Sequence, residues 1–246
     1  MTPSAFDAER LAQLGRIERE HFWFTARRRL VLQLLTTYAP GKQEPILDVG
    51  CGTGFFLRVL ANQGYHMVGL DQRPEGLDAI RTQLPGALLM QGDATDLPFA
   101  AGDFGAVLLL DVLEHTEDQR ALAEAARVLK PGGVAIIAVP AVPGLWSYRD
   151  QAAGHRRRYT RQSLTHLMAG AQLTIRDVRY YQCLLFPLVA GARLLGRRSP
   201  GLRDLEDRPL PALNALLTRI NDMEVRVGDR IRWPWGSSII AVGQKA

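Results

Sequence analysis

Ile46-Leu47-Asp48-Val49-Gly50-Cys51-Gly52-Thr53-Gly54 is the stretch on which the fold turns. A short apolar run carrying one acid passes into alternating glycines, and residues 55–62 continue with helical character. Glycines at such a junction let the backbone approach a ligand within contact distance, and the helix that follows presents unpaired N–H groups. The stretch therefore predicts a strand, a tight turn and a helix around a nucleotide-like cofactor. Its spacing is G-x-G-x-G. Phe55 stands where the dinucleotide fingerprint G-x-G-x-x-G needs its third glycine, which disfavours NAD.

Working outward, residues 66–70 form a second apolar strand closed by Asp71, 23 positions after Asp48 and close to the offset of a ribose-binding acid. Residues 76–84 read as a helix entered at Pro74, and 87–91 as a third strand. Residues 105–110 are a continuous apolar run ending at Asp111, as expected of a central strand covered on both faces. A helix over 117–129 follows, broken by Pro131-Gly132-Gly133 before a strand over 134–139. This alternation predicts an α/β fold with a doubly wound parallel sheet, whose ligand crevice opens at the carboxyl ends of the strands.

Five segments in this order, 47–54, the acid Asp71, Gly92-Asp93-Ala94, 111–115 and Leu129-Lys130-Pro131-Gly132-Gly133, resemble the motifs of class I S-adenosylmethionine-dependent methyltransferases. From residue 20 to 244 the chain is similar to a bacterial branch of that family related to quinone-biosynthesis enzymes. The resemblance implies a Rossmann-like seven-stranded sheet, mostly parallel with an antiparallel last strand, and S-adenosyl-L-methionine as cofactor with S-adenosyl-L-homocysteine as product. It implies that Asp48, Gly50, Cys51, Gly52 and Gly54 hold the methionine portion and that Asp71 takes the ribose hydroxyls. Gln72 would border the adenine, Asp93 and Ala94 would fix its edge, and Asp111 would face the crevice. Trp23 would close the pocket, with Arg27 meeting the cofactor carboxylate. Read without the resemblance, the rings of 21–24 serve equally well as a plug on the sheet with solvated arginines behind them.

The resemblance and the residue pattern together divide a single domain, 1–246, into four parts. Residues 1–40 form a helical cap, with an amphipathic lead-in helix over 5–20 and a second helix over 30–38 stopped at Pro40-Gly41. Residues 45–182 form the cofactor core, 183–236 a helical insert or lid, and 237–244 the last strand. Within the core, 141–160 has no clean period and leaves the crevice edge, so Trp146, Tyr148, His155, Arg156 and Tyr159 are candidates for acceptor binding. The alternative is an arginine-rich surface loop. A sixth strand is expected over 173–181. In the insert, 183–192 is apolar but interrupted by Pro187, too short to span a membrane. With the arginines up to 198 it suits a lid, a dimer contact or a peripheral membrane contact.

A chain of 246 residues, 47% hydrophobic, can bury one good core. The start lacks the apolar region of a cleaved leader, so a cytoplasmic location is expected, with peripheral contact on the inner membrane face as an alternative. Cys51 and Cys183 have no metal-like spacing, which leaves no expectation of a disulfide or a metal. The net charge of +5 is carried almost wholly by arginine, with lysine only at Lys42, Lys130 and Lys245. That pattern fits an anionic partner or a compositional bias. No nucleic-acid-binding motif is visible, and no nucleic-acid partner is expected.

Methyl transfer from a sulfonium is an in-line displacement in which placing the nucleophile is the protein's main task. The expected acceptor is a small molecule or a lipid- or sugar-linked compound. For a hydroxyl acceptor, His115 and His155 are the candidate bases. Two other readings stay open: a non-catalytic scaffold or sensor that binds S-adenosylmethionine, and a nicotinamide-dependent oxidoreductase.

Overall fold

The computed structural model describes Gly15 and residues 18–196, 210–228 and 231–246. Most of the lead-in helix expected over 5–20, and the arginine-rich end of 183–198, lie outside these residues. Helix α1 spans Phe22–Tyr38, where the sequence suggests a start near residue 30. The His21 imidazole caps it by accepting from the Trp23 N–H at 3.2 Å. Ala26, Leu30, Leu34 and Leu35 are buried along one side at helical spacing. The ring cluster and the arginines therefore belong to one helix, and Trp23 and Arg27 share a face one turn apart.

Strand β1 (Ile46–Val49) leads into α2 (Phe55–Ala61), β2 (Met67–Asp71), α3 (Pro74–Gln83) and β3 (Leu88–Gln91). The chain then returns to place β4 (Phe104–Leu110) on the other side of β1. Helix α4 (Asp118–Val128) runs directly into β5, which spans Leu129–Pro140. The proline-glycine break predicted before residue 134 thus lies inside the strand, as a register irregularity between Phe104 and Ala106 of the neighbouring β4. Helix α5 (Tyr148–Ala153), absent from the sequence reading, interrupts 141–160. Next come α6 (Arg161–Gly170), β6 (Leu173–Tyr181), α7 (Phe186–Gly196), α8 (Pro211–Val227) and β7 (Ser238–Lys245).

The seven strands are ordered β3-β2-β1-β4-β5-β7-β6, with β7 antiparallel to both of its neighbours and the other pairs parallel. The expected sheet is therefore present. Its apolar strands follow from having both faces covered. Along β5, Ala135, Ile137 and Val139 pack beneath α4 and α6, while Val134, Ile136 and Ala138 pack beneath α1. Strand order reverses between β1 and β4, and that reversal opens a crevice at their carboxyl ends.

The insert is tied to α1. Asn214 on α8 accepts from the Phe22 N–H at 2.9 Å and donates to the Glu20 carbonyl at 2.7 Å. Phe22, Leu185 and Leu217 form a small apolar cluster between the two helices. Glu224 of α8 accepts from the N–H groups of Cys183 and Leu184, at 2.7 and 2.9 Å, and so anchors the start of the insert. Among the described residues no helix is long and apolar enough to cross a membrane.

Candidate active site

A cavity of about 750 Å³ opens at the strand reversal, and most of the residues singled out in the sequence line it. Trp23, Arg27, Asp48, Gly50, Cys51, Gly52, Asp71, Gln72, Asp93, Ala94, Asp111, His115, His155 and Arg156 all face it. Gly54, Trp146, Tyr148 and Tyr159 do not. Gly54 caps α2 at φ +68°, and a Cβ there would meet Ile80 at 2.4 Å, so it is a packing residue between α2 and α3. Tyr159 is buried, with its hydroxyl donating to Asp118 at 2.9 Å. No described residue of 183–236 lines the cavity.

The turn after β1 is held by the acid of β2. Asp71 accepts from the Gly52 N–H at 2.9 Å and from the Arg73 N–H at 3.0 Å, so one carboxylate fixes both turns and has lone pairs left over for the cavity. Gly50 sits at φ +71°, and a Cβ there would press on Val112 at 2.9 Å. Gln72 donates to Asp93 at 2.8 Å, and the other Asp93 oxygen accepts from the N–H and hydroxyl of Thr95. Gln72 and Asp93 thus form one polar edge on this side.

At the centre, one guanidinium lies among several acids. Arg27 pairs with Asp111, whose backbone has φ +58°. Asp48 is buried, and burial pushes its carboxyl up to about 7; Arg27 opposes that rise, while Glu18 and Asp71 reinforce it. Glu18 accepts from the Thr53 hydroxyl, and burial raises its pKa. Burial also raises the Cys51 thiol, which favours an inert thiol there.

The other end of the cavity is built by 111–116 and 153–158. Glu114 and His115 lie in a 3₁₀ turn, Leu113–His115, after β4. The Arg156 N–H donates to the Glu114 carbonyl at 2.7 Å and ties the two segments together. The Glu114 side chain is fully buried, neither of its oxygens has a hydrogen-bond partner among the described residues, and burial followed by Asp111 raises its pKa well above the usual range. Burial and the neighbouring His155 lower His115 to about 4, leaving it neutral. Its ring meets that of His155 edge-on at 4.8 Å.

The three consecutive arginines divide their roles. Arg158 is buried and grips Asp150 through Nε at 2.7 Å and Nη2 at 3.1 Å, while Arg157 pairs with Asp118 at 2.7 Å. Among the described residues, only Arg156 of the three reaches the cavity without an ion-pair partner. Asp150 also closes the capping box of α5 on Ser147 and accepts from His155 Nδ1 at 2.9 Å. Burial opposes its charge, yet these bonds from His155 and Arg158 hold its carboxyl well below the usual range. The sequence reading did not single out Glu18, Phe24, Glu114 or Asp150. Glu114 adjoins a chosen histidine, but nothing local announces that its side chain is buried. Asp150 carries a legible signal, the Ser-x-x-Asp capping pattern at Ser147.

Comparisons with known proteins bear on the domain and the fold that carry this cavity. Residues 47–137, from β1 to β5, match a family model described as a methyltransferase domain. A Mycolicibacterium smegmatis protein named as an S-adenosylmethionine-dependent methyltransferase is 28% identical over 71% of this chain and 68% of its own length. Residues 47–137 carry a methyltransferase domain, and the chain is similar to S-adenosylmethionine-dependent methyltransferases of class I. Uncharacterised methyltransferases of Mycobacterium tuberculosis and Synechocystis are 33% and 34% identical over 47% and 45% of the chain, and those alignments span 44% and 52% of the relatives. The chain thus spans about half the length of these two.

The methyltransferase fold extends over nearly the whole chain. A Haloferax volcanii structure, titled as a methyltransferase in complex with an activator, superposes with TM-score 0.64 at 21% identity, covering 95% of this chain and 93% of the other. A Bacillus halodurans structure titled as a methyltransferase gives 0.61 at 19%, covering 87% and 98%. The cofactor of the methyltransferase is S-adenosylmethionine. The cavity fits it in three respects: a glycine turn open to a ligand, a carboxylate with lone pairs to spare beside that turn, and acids gathered where a cofactor ammonium would offset their burial.

Proposed function

We propose that this methyltransferase acts on a small anionic acceptor that enters between Arg156 and the His115–His155 pair. The observation that carries this reading is Arg156, which lines the same cavity as the cofactor residues and has no ion-pair partner among the described residues. A guanidinium fork matches carboxylate or phosphate with two parallel hydrogen bonds. S-adenosylmethionine supplies a methyl group activated by a positively charged sulfur. Asp71 receives the ribose hydroxyls, Gln72 and Asp93 meet the adenine edge, and the backbone from Gly50 to Gly52 supports the methionine portion. Asp48 offsets the ammonium group, and Arg27 turns from Asp111 to the carboxylate. Trp23 and Phe24 close the pocket from α1 and exclude water. The chain's own contribution to rate is placement, by which the acceptor nucleophile is held in line with the methyl group.

Two experiments test this. Calorimetric titration with S-adenosylmethionine should show binding to the wild-type chain and a loss of about 10- to 100-fold in Asp71→Ala, the scale of a lost hydrogen bond to a charged group. Acceptor screening should find turnover on phosphorylated or carboxylated hydroxy compounds, with KM rising in Arg156→Ala and cofactor affinity unchanged. Equal KM in both proteins would remove the anionic-acceptor reading. A membrane-bound or polyprenyl-linked acceptor is a narrower form of it, and binding to anionic vesicles at low salt is its separate test.

A further inference from the structure

We propose that Glu114, His115 and His155 bind one divalent transition-metal ion at the acceptor end of the cavity. One ligand atom from each of the three lies within 4.8 Å of the others, a span that small rotamer shifts close around an ion at about 2.1 Å. The cluster is built rather than incidental. Glu114 lies in the cavity wall with a fully buried carboxylate, and neither oxygen has a hydrogen-bond partner among the described residues, with Arg27 and Arg158 acting on it only through their charge; such an arrangement costs free energy unless a bound cation or a proton answers it.

The two imidazoles are held for ligation. His155 Nδ1 is fixed by Asp150 at 2.9 Å, and Asp150 is itself locked by Arg158 and Ser147. That leaves Nε2 as the ligating nitrogen of His155. His115 is bonded to the Gly154 backbone. Imidazoles steadied in this way by a carboxylate or a carbonyl are a regular feature of protein metal centres. The Arg156 N–H bond to the Glu114 carbonyl keeps the two contributing segments in register.

Two nitrogens and one carboxylate oxygen suit zinc, manganese or ferrous iron better than magnesium or calcium, and they leave coordination positions open toward the cavity. This role for the ion rests on the methyltransferase reading, whereas its binding does not. An acceptor hydroxyl bound at an open position would lose its proton to solvent more readily. Its oxygen then forms a bond to the methyl carbon as the carbon–sulfur bond breaks, and the sulfonium leaves as the neutral thioether of S-adenosylhomocysteine. The metal keeps its oxidation state throughout.

The test uses the full chain, stripped with a chelator and dialysed against zinc(II) or cobalt(II). The expected result is about one ion per chain, with cobalt absorption bands typical of nitrogen and oxygen ligation. Occupancy should be lost in Glu114→Gln and in His155→Ala and kept in His166→Ala, which alters an exposed histidine of α6. Calorimetric binding of S-adenosylmethionine by each variant reports whether it is folded and tests the cofactor site separately. Occupancy below about 0.1 ion per chain in the wild type, or full occupancy in both ligand variants, overturns the proposal. The wild-type cobalt spectrum decides the matter if a variant fails to fold: bands without imidazole ligation also overturn it.

Discussion

Asp48 stands at the floor of the cavity only 3% exposed, and its burial has a measurable consequence. Its carboxyl moves from 3.8 when unfolded to about 7 when folded. Between those values the folded chain keeps a proton that the unfolded chain has released. Folding stability therefore falls as pH rises through that window and levels off above about 7. In urea titrations of the cofactor-free protein, Asp48→Asn should flatten this fall, which is on the order of 4 kcal/mol in the wild type. Asp150 has the opposite sign. Its carboxyl is held low by His155 and Arg158, so the stability it contributes is present above the ordinary aspartate pKa and disappears only in strong acid. Arg158→Met leaves that buried carboxylate without its paired guanidinium and should cost about 3–5 kcal/mol. Both acids are plain in the sequence, but nothing there distinguishes the one driven toward neutrality from the one held ionised. The difference is the set of hydrogen bonds from His155 and Arg158 that the fold brings onto Asp150, whereas Arg27 acts on Asp48 only through its charge.

Helix α1 carries Trp23, Phe24 and Arg27 into the cavity, and it is braced from outside by α8 rather than by its own sequence neighbours. Asn214, Leu217 and Asn221 supply that brace, with Asn221 donating to the Phe22 carbonyl at 3.2 Å. Leu217→Ala should therefore lower stability by about 2–3 kcal/mol and weaken S-adenosylmethionine binding several-fold, although Leu217 lies outside the cavity. Leu216→Ala, on the 54% exposed side of the same helix, should change stability by less than about 0.5 kcal/mol. Thermal melts and calorimetry on the two variants check both statements. The early start of α1 follows from the same packing, because Phe22 becomes helical where Leu185 and Leu217 cover it. A local hydrophobic pattern cannot reveal a partner about 190 residues away.

At the scale of the whole molecule, the proposed cofactor site lies where the strand order reverses, so binding there would add to global stability. At 100 times its dissociation constant, S-adenosylmethionine should stabilise the protein by about 2.7 kcal/mol and raise Tm by about 5–10 °C, with NADH at equal concentration without effect. A shift with NADH instead would return the nicotinamide reading that the glycine spacing disfavours. The sequence by itself determined the sheet, the glycine turn and the acids at the strand ends, because strand period, turn chemistry and apolar runs are local properties of consecutive residues. The glycine turn and Asp71 also pointed to a nucleotide-like cofactor, and the resemblance of its five motifs to class I methyltransferases implied S-adenosylmethionine. Only the tertiary structure decided which residues of 141–160 reach the cavity, turning Tyr159 inward to Asp118, engaging Arg158 with Asp150 at the cavity wall, and leaving His155 and Arg156 at the site. It also decided that Glu114, His115 and His155 meet, because α4, β5 and α5 separate them in the chain and only the closing of the sheet brings their side chains together.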